Sequence, residues 1–193
     1  KFNLTDDTIS GSSISNGSGN YSIPVSAGTH TITPQFENPT YFTASPTNVT
    51  VTFPAATSPF TQNFCIAPSG VHHDLEVVVI PLIPARPGFD ATYKIKYKNK
   101  GNQIESTTIN FNYNDAILDF VSANVSPTSQ ATGTLSWNVG AITPFQAGEI
   151  LVTLNVNSPM ETPAVNNGDV LNYTATANGL TTDETPDDNT FTL

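Results

Sequence analysis

The stretch Tyr93-Lys-Ile-Lys-Tyr-Lys-Asn-Lys100 alternates strictly, with Tyr93, Ile95 and Tyr97 in one register and Lys94, Lys96, Lys98 and Lys100 in the other. In an extended strand this period of two sets the first group on one face and the second on the opposite face; a helix would scatter both around its circumference. The same alternation recurs in Asn48-Val-Thr-Val-Thr-Phe53, where Val49, Val51 and Phe53 share a face. A chain written this way has to bury one side of a sheet, so it folds as packed layers of strands.

The residue supply agrees. Only 11% of the 193 residues are charged, strong helix formers are scarce, and Thr, Val, Ile, Phe and Tyr recur throughout. These are residues of a pleated, half-buried surface, which predicts an all-β protein with little or no helix. In the first half, strand-length segments at 2–5, 21–25, 29–33, 41–45, 48–53 and 60–66 are cut by Gly-, Ser- and Pro-rich breakers, the longest at 10–20. In the second half the segments lengthen, at 74–80, 91–99, 106–113, 117–121, 133–139, 149–157, 170–177 and 189–193. That many strands in about 120 residues suggest an Ig-like sandwich. The small-residue break Ala67-Pro-Ser-Gly-Val-His-His73 separates a domain over 1–68 from a second over 72–193.

Charge narrows the partners. A net charge of −10 opposes phosphate backbones and anionic bilayers, which argues against nucleic acid. No apolar run approaches the roughly 20 residues of a membrane-spanning helix, so no direct membrane insertion is expected. The single cysteine, Cys65, has no partner within the chain, and its neighbours Phe64 and Ile66 predict a small hydrophobe packed in a core.

Few residues point to chemistry. No G-x-S-x-G turn occurs, and His30 reads as a strand side chain packed on its neighbours. His72 and His73 are adjacent, so in a strand they point apart and do not share an ion; a solvated linker is expected. Asp115 and Asp119 read as turn and strand-surface residues, and Trp137 as a core anchor. The lysine row reads as the blunting of a strand's exposed side, the alternative being a patch for an acidic ligand. The oxygen-rich run Asp183-Glu-Thr-Pro-Asp-Asp-Asn189 offers Asp183, Asp187 and Asp188 to a hard cation such as calcium, with Asp74 joining if first and last strands are neighbours. Its spacing matches no EF-hand loop, and a merely solvated acidic loop is the competing reading. No other cofactor is expected.

Asn16-Gly-Ser-Gly-Asn-Tyr-Ser-Ile-Pro-Val-Ser-Ala-Gly-Thr-His-Thr-Ile-Thr33 resembles the prealbumin-like modules of the carboxypeptidase-regulatory and Cna B-type class. Asp74-Leu-Glu-Val77 and Gly88-Phe-Asp-Ala-Thr-Tyr-Lys-Ile-Lys-Tyr-Lys-Asn-Lys-Gly101 resemble the Ig-like repeat of bacterial surface proteins, which Gly133-Thr-Leu-Ser-Trp-Asn138 continues. With Gln62-Asn-Phe-Cys-Ile-Ala67 and the closing Thr182-Asp-Glu-Thr-Pro-Asp-Asp-Asn-Thr190, the whole is similar to tandem modules of type IX-secreted surface proteins from gliding, Gram-negative bacteria.

The resemblance implies two consecutive sandwiches, prealbumin-like over 1–68 without its opening strand and Ig-like over 72–193. It implies a non-catalytic stalk, spacer or adhesive segment of a larger secreted protein on the outer cell surface. Its partners would be flanking domains of the same polypeptide, surface polysaccharide or another surface protein. The alternatives are a carbohydrate- or protein-binding module, or accessory domains of a secreted hydrolase. Asp7-Thr8-Ile9 resembles a short O-glycosylation acceptor, with Thr8 as the modified residue. Cna B-type modules often join a Lys to an Asn, and Lys1 and Asn63 occupy such places. The assisting acid's place holds Gln35, which cannot shuttle a proton, so no cross-link is expected.

Overall fold

Burial follows the period of two through most of the strands of the computed structural model, which describes residues 1–5, 10–179 and 182–193. The chain divides into two units, Lys1–Val71 and His72–Leu193, at the small-residue break.

The first unit contains β1 (Phe2–Thr5), β2 (Ser10–Ser13), β3 (Gly28–Pro34), β4 (Phe42–Ser45), β5 (Val49–Phe53) and β6 (Cys65–Pro68). They form an antiparallel sheet in the order β2-β1-β3-β5 and a separate β4-β6 ribbon. Cross-strand partners Leu4 with Ile32 and His30 with Val51 share one face, and all four are buried. On the other face Thr29 pairs its hydroxyl with Thr52, and Thr31 with Thr50, each at 2.9 Å.

Four sequence expectations change here. Residues 21–25 form no strand, because Pro24 has no N–H to give a ladder. The expected strand at 60–66 begins only at Cys65: its partner β4 ends at Ser45, opposite Cys65, and Pro46 cannot extend the pairing. Cys65 is exposed instead of packed, since the two-stranded ribbon leaves it uncovered. Ser10–Ser13, by contrast, sits in an expected breaker yet pairs as β2 along β1; a ladder needs main-chain groups, which serine supplies as well as valine.

The second unit is a β-sandwich. It contains β7 (Leu75–Pro81), β8 (Asp90–Asn99), β9 (Glu105–Tyr113), β10 (Leu118–Ala123), β11 (Ser129–Ala131), β12 (Thr134–Ile142), β13 (Ala147–Val156), β14 (Tyr173–Asn178) and β15 (Thr190–Thr192). A short 3-10 turn at Pro186–Asn189 is the one helical element among the described residues. One sheet has the order β10-β13-β8-β7 and the other β11-β12-β9-β14-β15, all antiparallel.

Their inner faces supply one core, with Val77, Ile95 and Val152 from the first sheet against Phe111, Leu135 and Trp137 from the second. Trp137 is the anchor the sequence suggests: it is 1% exposed, and its indole N–H donates to the Val125 carbonyl at 2.8 Å. Tyr93 and Tyr173 meet across the sheets, hydroxyl to hydroxyl at 2.6 Å, with Phe111 stacked on Tyr173.

The outer faces differ in chemistry. On the first sheet Lys94 pairs with Glu149 at 2.9 Å and Lys96 is exposed. On the second, Asn110, Asn112, Thr134, Ser136, Thr174 and Thr176 alternate with buried residues, and Thr134 and Ser136 donate to Asn112 and Asn110 at 2.9 and 2.7 Å.

Burial holds the phenols of Tyr93 and Tyr173 above their ordinary value of 10.0, and for Tyr173 the bond with Tyr93 pushes the same way. The folded state therefore keeps these protons more tightly than the unfolded chain, a stabilisation that is complete below pH 10 and lost as pH rises beyond it. In an alkaline titration followed by near-ultraviolet circular dichroism, unfolding should begin only above pH 10. Tyr173→Phe, which leaves the Tyr93 hydroxyl without this partner, should cost about 1–3 kcal/mol near neutrality and blunt the alkaline loss.

Candidate functional site

At one end of the second unit its first residues, His72–Leu75, are clasped by the end of β8 and the loop before β15. The backbone does part of this: the amides of Lys100 and Gly101 both donate to the Asp74 carbonyl, at 2.8 and 3.1 Å, and Asn102 N donates to the His72 carbonyl at 2.9 Å. The approach is so close that a Cβ on Gly101 would lie 2.6 Å from the His72 carbonyl oxygen, which explains glycine there.

Side chains do the rest. Asp183 accepts from Leu75 N through Oδ2 and from Thr185 N through Oδ1, both at 2.7 Å. Glu184 N donates to the His73 carbonyl at 2.9 Å, and the Glu184 carboxylate meets His72 Nδ1 at 2.7 Å. His73 meets the buried Glu105 through a short bond. Lys100 Nζ donates to Asp188 Oδ2 at 2.6 Å and lies 4.0 Å from Oδ1 of Asp74, which is 1% exposed.

The sequence expectation is met in part. Asp74, Asp183 and Asp188 each place an oxygen within 4.8 Å of the others. Asp187 lies outside this group and is exposed: on a 3-10 turn of three residues per turn, neighbouring side chains diverge, and it is Asp188 that faces the cluster. Calcium takes 6–8 oxygen ligands. Here both Asp183 oxygens already accept backbone N–H bonds, and Asp188 Oδ2 holds an ammonium. The Lys100 ammonium is the cation at Asp188 Oδ2, while among the described residues Asp188 Oδ1 and Asn189 Oδ1 are buried without a hydrogen-bond partner, so oxygens remain beside the ammonium.

Lys100 is the residue that sequence reasoning misplaced. Alternation assigns it to the solvated lysine row, but its side chain is 13% exposed and turned into the carboxylates. The register of β8 ends at Asn99, so the alternation no longer binds the next residue. Burial alone would lower its pKa, but the bond from Asp188 and the charges of Asp74, Asp188 and Glu76 outweigh that and leave it above 10.5. His72 and His73 point apart as adjacency requires, yet they are no solvated linker: each takes its own carboxylate.

The remaining candidates disperse. Asp115 caps the turn at Gly133 N at 3.2 Å, and Asp119 pairs along β10 with Asn155. Thr8 lies outside the described residues. Gln35 meets Lys1 through the backbone, its N–H donating to the Lys1 carbonyl at 2.7 Å.

A cleft that had no signal in the sequence lies in the first unit. It has a volume of about 950 Å³ and opens between the apolar face of the β2-β1-β3-β5 sheet and the irregular segments 19–27 and 54–63. Leu4, Ile32, Val51 and Phe53 contribute to its floor, and His30 joins them with Nε2 2.9 Å from the Ser26 carbonyl.

Lys100→Met removes the cation that Asp188 and Asp74 face, and should cost about 1–3 kcal/mol in urea unfolding. For the unaltered chain, melting in excess calcium and in chelator should coincide; a rise with calcium would show that the ion displaces the ammonium.

No protein-family model and no curated protein matches the chain. Among solved structures, BslA, described as a bacterial hydrophobin, is similar at 11% identity with a TM-score of 0.41, over 64% of this chain and 92% of that one.

Proposed function

We propose that the chain is a non-catalytic structural segment, a stalk or spacer within a larger secreted protein on the bacterial outer surface. In this reading the first unit is a prealbumin-like module and the second an Ig-like repeat, working between flanking domains of the same polypeptide. The clasp is the observation that carries it. The chain enters the second unit at His72–Leu75, where Asp183, Glu184 and Asp188 converge with Lys100. β15 then runs away from the clasp: Thr190 pairs with Thr176, and Leu193 meets Tyr173 towards the far end. Tension applied to the two ends would therefore shear the terminal strands, breaking many bonds together, rather than unzip them one by one.

Force spectroscopy on tandem copies tests this. The second unit should unfold in one step, and the pair Lys100→Met with Asp183→Ala should lower its unfolding force clearly. A force unaffected by the clasp would count against a mechanical role.

A second reading, a module that binds surface polysaccharide, is favoured by the hydroxyl and carboxamide rows on the outer face of β12, β9 and β14. Donors and acceptors preset by side-chain bonds suit a neutral, hydroxyl-rich ligand. Retention on insoluble polysaccharide that is lost with Asn110→Lys and Thr174→Lys would support it; retention unchanged by both would oppose it.

A further inference from the structure

We infer that Asn167 is a site of spontaneous covalent change: in the folded chain the backbone nitrogen of Gly168 attacks its carboxamide, and the residue passes through a cyclic imide to aspartate and isoaspartate. This is independent of the spacer reading and needs no partner but water. The chain contains three Asn-Gly pairs, Asn16-Gly17, Asn167-Gly168 and Asn178-Gly179. A glycine after asparagine favours this reaction in any chain, because no side chain blocks its nitrogen and its backbone turns freely. The amino-acid order therefore nominates all three alike, and the fold separates them.

Ring closure requires the asparagine Cγ to swing over the next backbone nitrogen, so whatever holds the carboxamide or the main chain slows it. Asn16 is held by its side chain, whose Oδ1 accepts from Ser18 N at 3.0 Å and Asn20 N at 2.9 Å. Its main chain is tied as well, its N–H donating to the Asn20 carbonyl and its carbonyl accepting from Gly19 N, both at 2.9 Å. Asn178 is held by its main chain, as the last residue of β14, opposite Thr108. Gly179 behind it is closely packed: a Cβ there would lie 3.1 Å from a Leu75 methyl and 3.3 Å from Glu105 Oε2.

Asn167 has neither restraint. With Gly168 it forms the exposed corner of a turn that its neighbours close, Asp169 N donating to the Asn166 carbonyl at 3.2 Å and Asn166 N to the Asp169 carboxylate at 2.8 Å. These bonds set the corner without engaging it: among the described residues, neither the Asn167 carboxamide nor the Gly168 N–H takes part in a hydrogen bond. Gly168 has a φ of +99°, and nothing lies within 4 Å of where a Cβ would stand. The turn thus demands glycine at the very position that makes Asn167 reactive.

The atoms balance with water as the one co-reactant. The Gly168 nitrogen bonds to Asn167 Cγ, the Cγ–Nδ2 bond breaks, and the departing nitrogen leaves as ammonia carrying the Gly168 proton. Water then opens the imide at Cγ, giving aspartate, or at the main-chain carbonyl, giving isoaspartate with an extra methylene in the backbone. Ammonia is lost to solvent, so the conversion accumulates with the age of the chain. Either product sets a new carboxylate beside Asp169, and the longer backbone of isoaspartate deforms the turn that leads from the buried Val165 towards β14.

The test holds the whole chain in mildly alkaline buffer and samples it for peptide mapping by mass spectrometry, with the aspartate and isoaspartate forms separated. In the folded chain Asn167 should convert roughly tenfold faster than Asn16 or Asn178. In denaturant the three rates should converge, since only the fold distinguishes the sites. Asn167→Gln, whose longer side chain must close a larger ring, should remove the early conversion, and Asn16→Gln should leave it unchanged. The proposal is overturned by an Asn167 that stays intact in the folded chain, or by Asn16 or Asn178 converting as fast. It is also overturned if the same ordering persists in denaturant, which would assign the difference to flanking residues instead of the fold.

Discussion

The second unit depends on the register of β8. It lies between β7 and β13, and its partners Ile95 with Val79 and Ile95 with Ile150 bring three apolar side chains to the same inner level. A slip of one residue would turn Tyr93 and Ile95 to water and Lys94, Lys96 and Lys98 to the core. Burying even one of those ammoniums unpaired costs several kcal/mol, a large part of a domain's margin of stability, so the alternation selects a single pairing. From that pairing follow the contact of Tyr93 with Tyr173 and the closure of the two sheets around Phe111 and Trp137.

The clasp shows how charge is used in a chain that has little. Six of its participants, Asp74, Asp183, Asp188, Glu184, Glu105 and Lys100, are drawn from only 22 charged residues, 16 acidic and 6 basic. Concentrating them where the chain enters the unit ties segments more than a hundred residues apart in sequence. Hydrogen bonds to ionised groups are stronger than neutral ones, and partial burial shields them from salt. The acidic run thereby ties the unit's entry to the start of its last strand.

The two units solve the problem of a sheet's second face differently. The second covers its apolar face with another complete sheet. The first covers much of its own with irregular chain, where Pro24 and Pro59 deny the ladder its donors, and a cleft remains.

The all-β class, the division near residue 70 and most strands were legible in the amino-acid order, because period two and turn residues are local signals. Asp74, Asp183 and Asp188 were legible as candidates for the same reason: an oxygen-rich loop and an acid beside a first strand are visible without coordinates. What the order alone left open was which groups would compete for those oxygens. Lys100 and Leu75 N lie 88 and 108 positions from their partners, and no local pattern reports such a meeting. Likewise, residues 21–25 and 60–64 carry the composition of strands but fail for want of partners, and β2 forms from serines because a partner was free. Local chemistry determined which face each strand would bury; only the tertiary structure decided which donors reached the carboxylates and which sheet face was left partly uncovered, since both depend on long-range pairing.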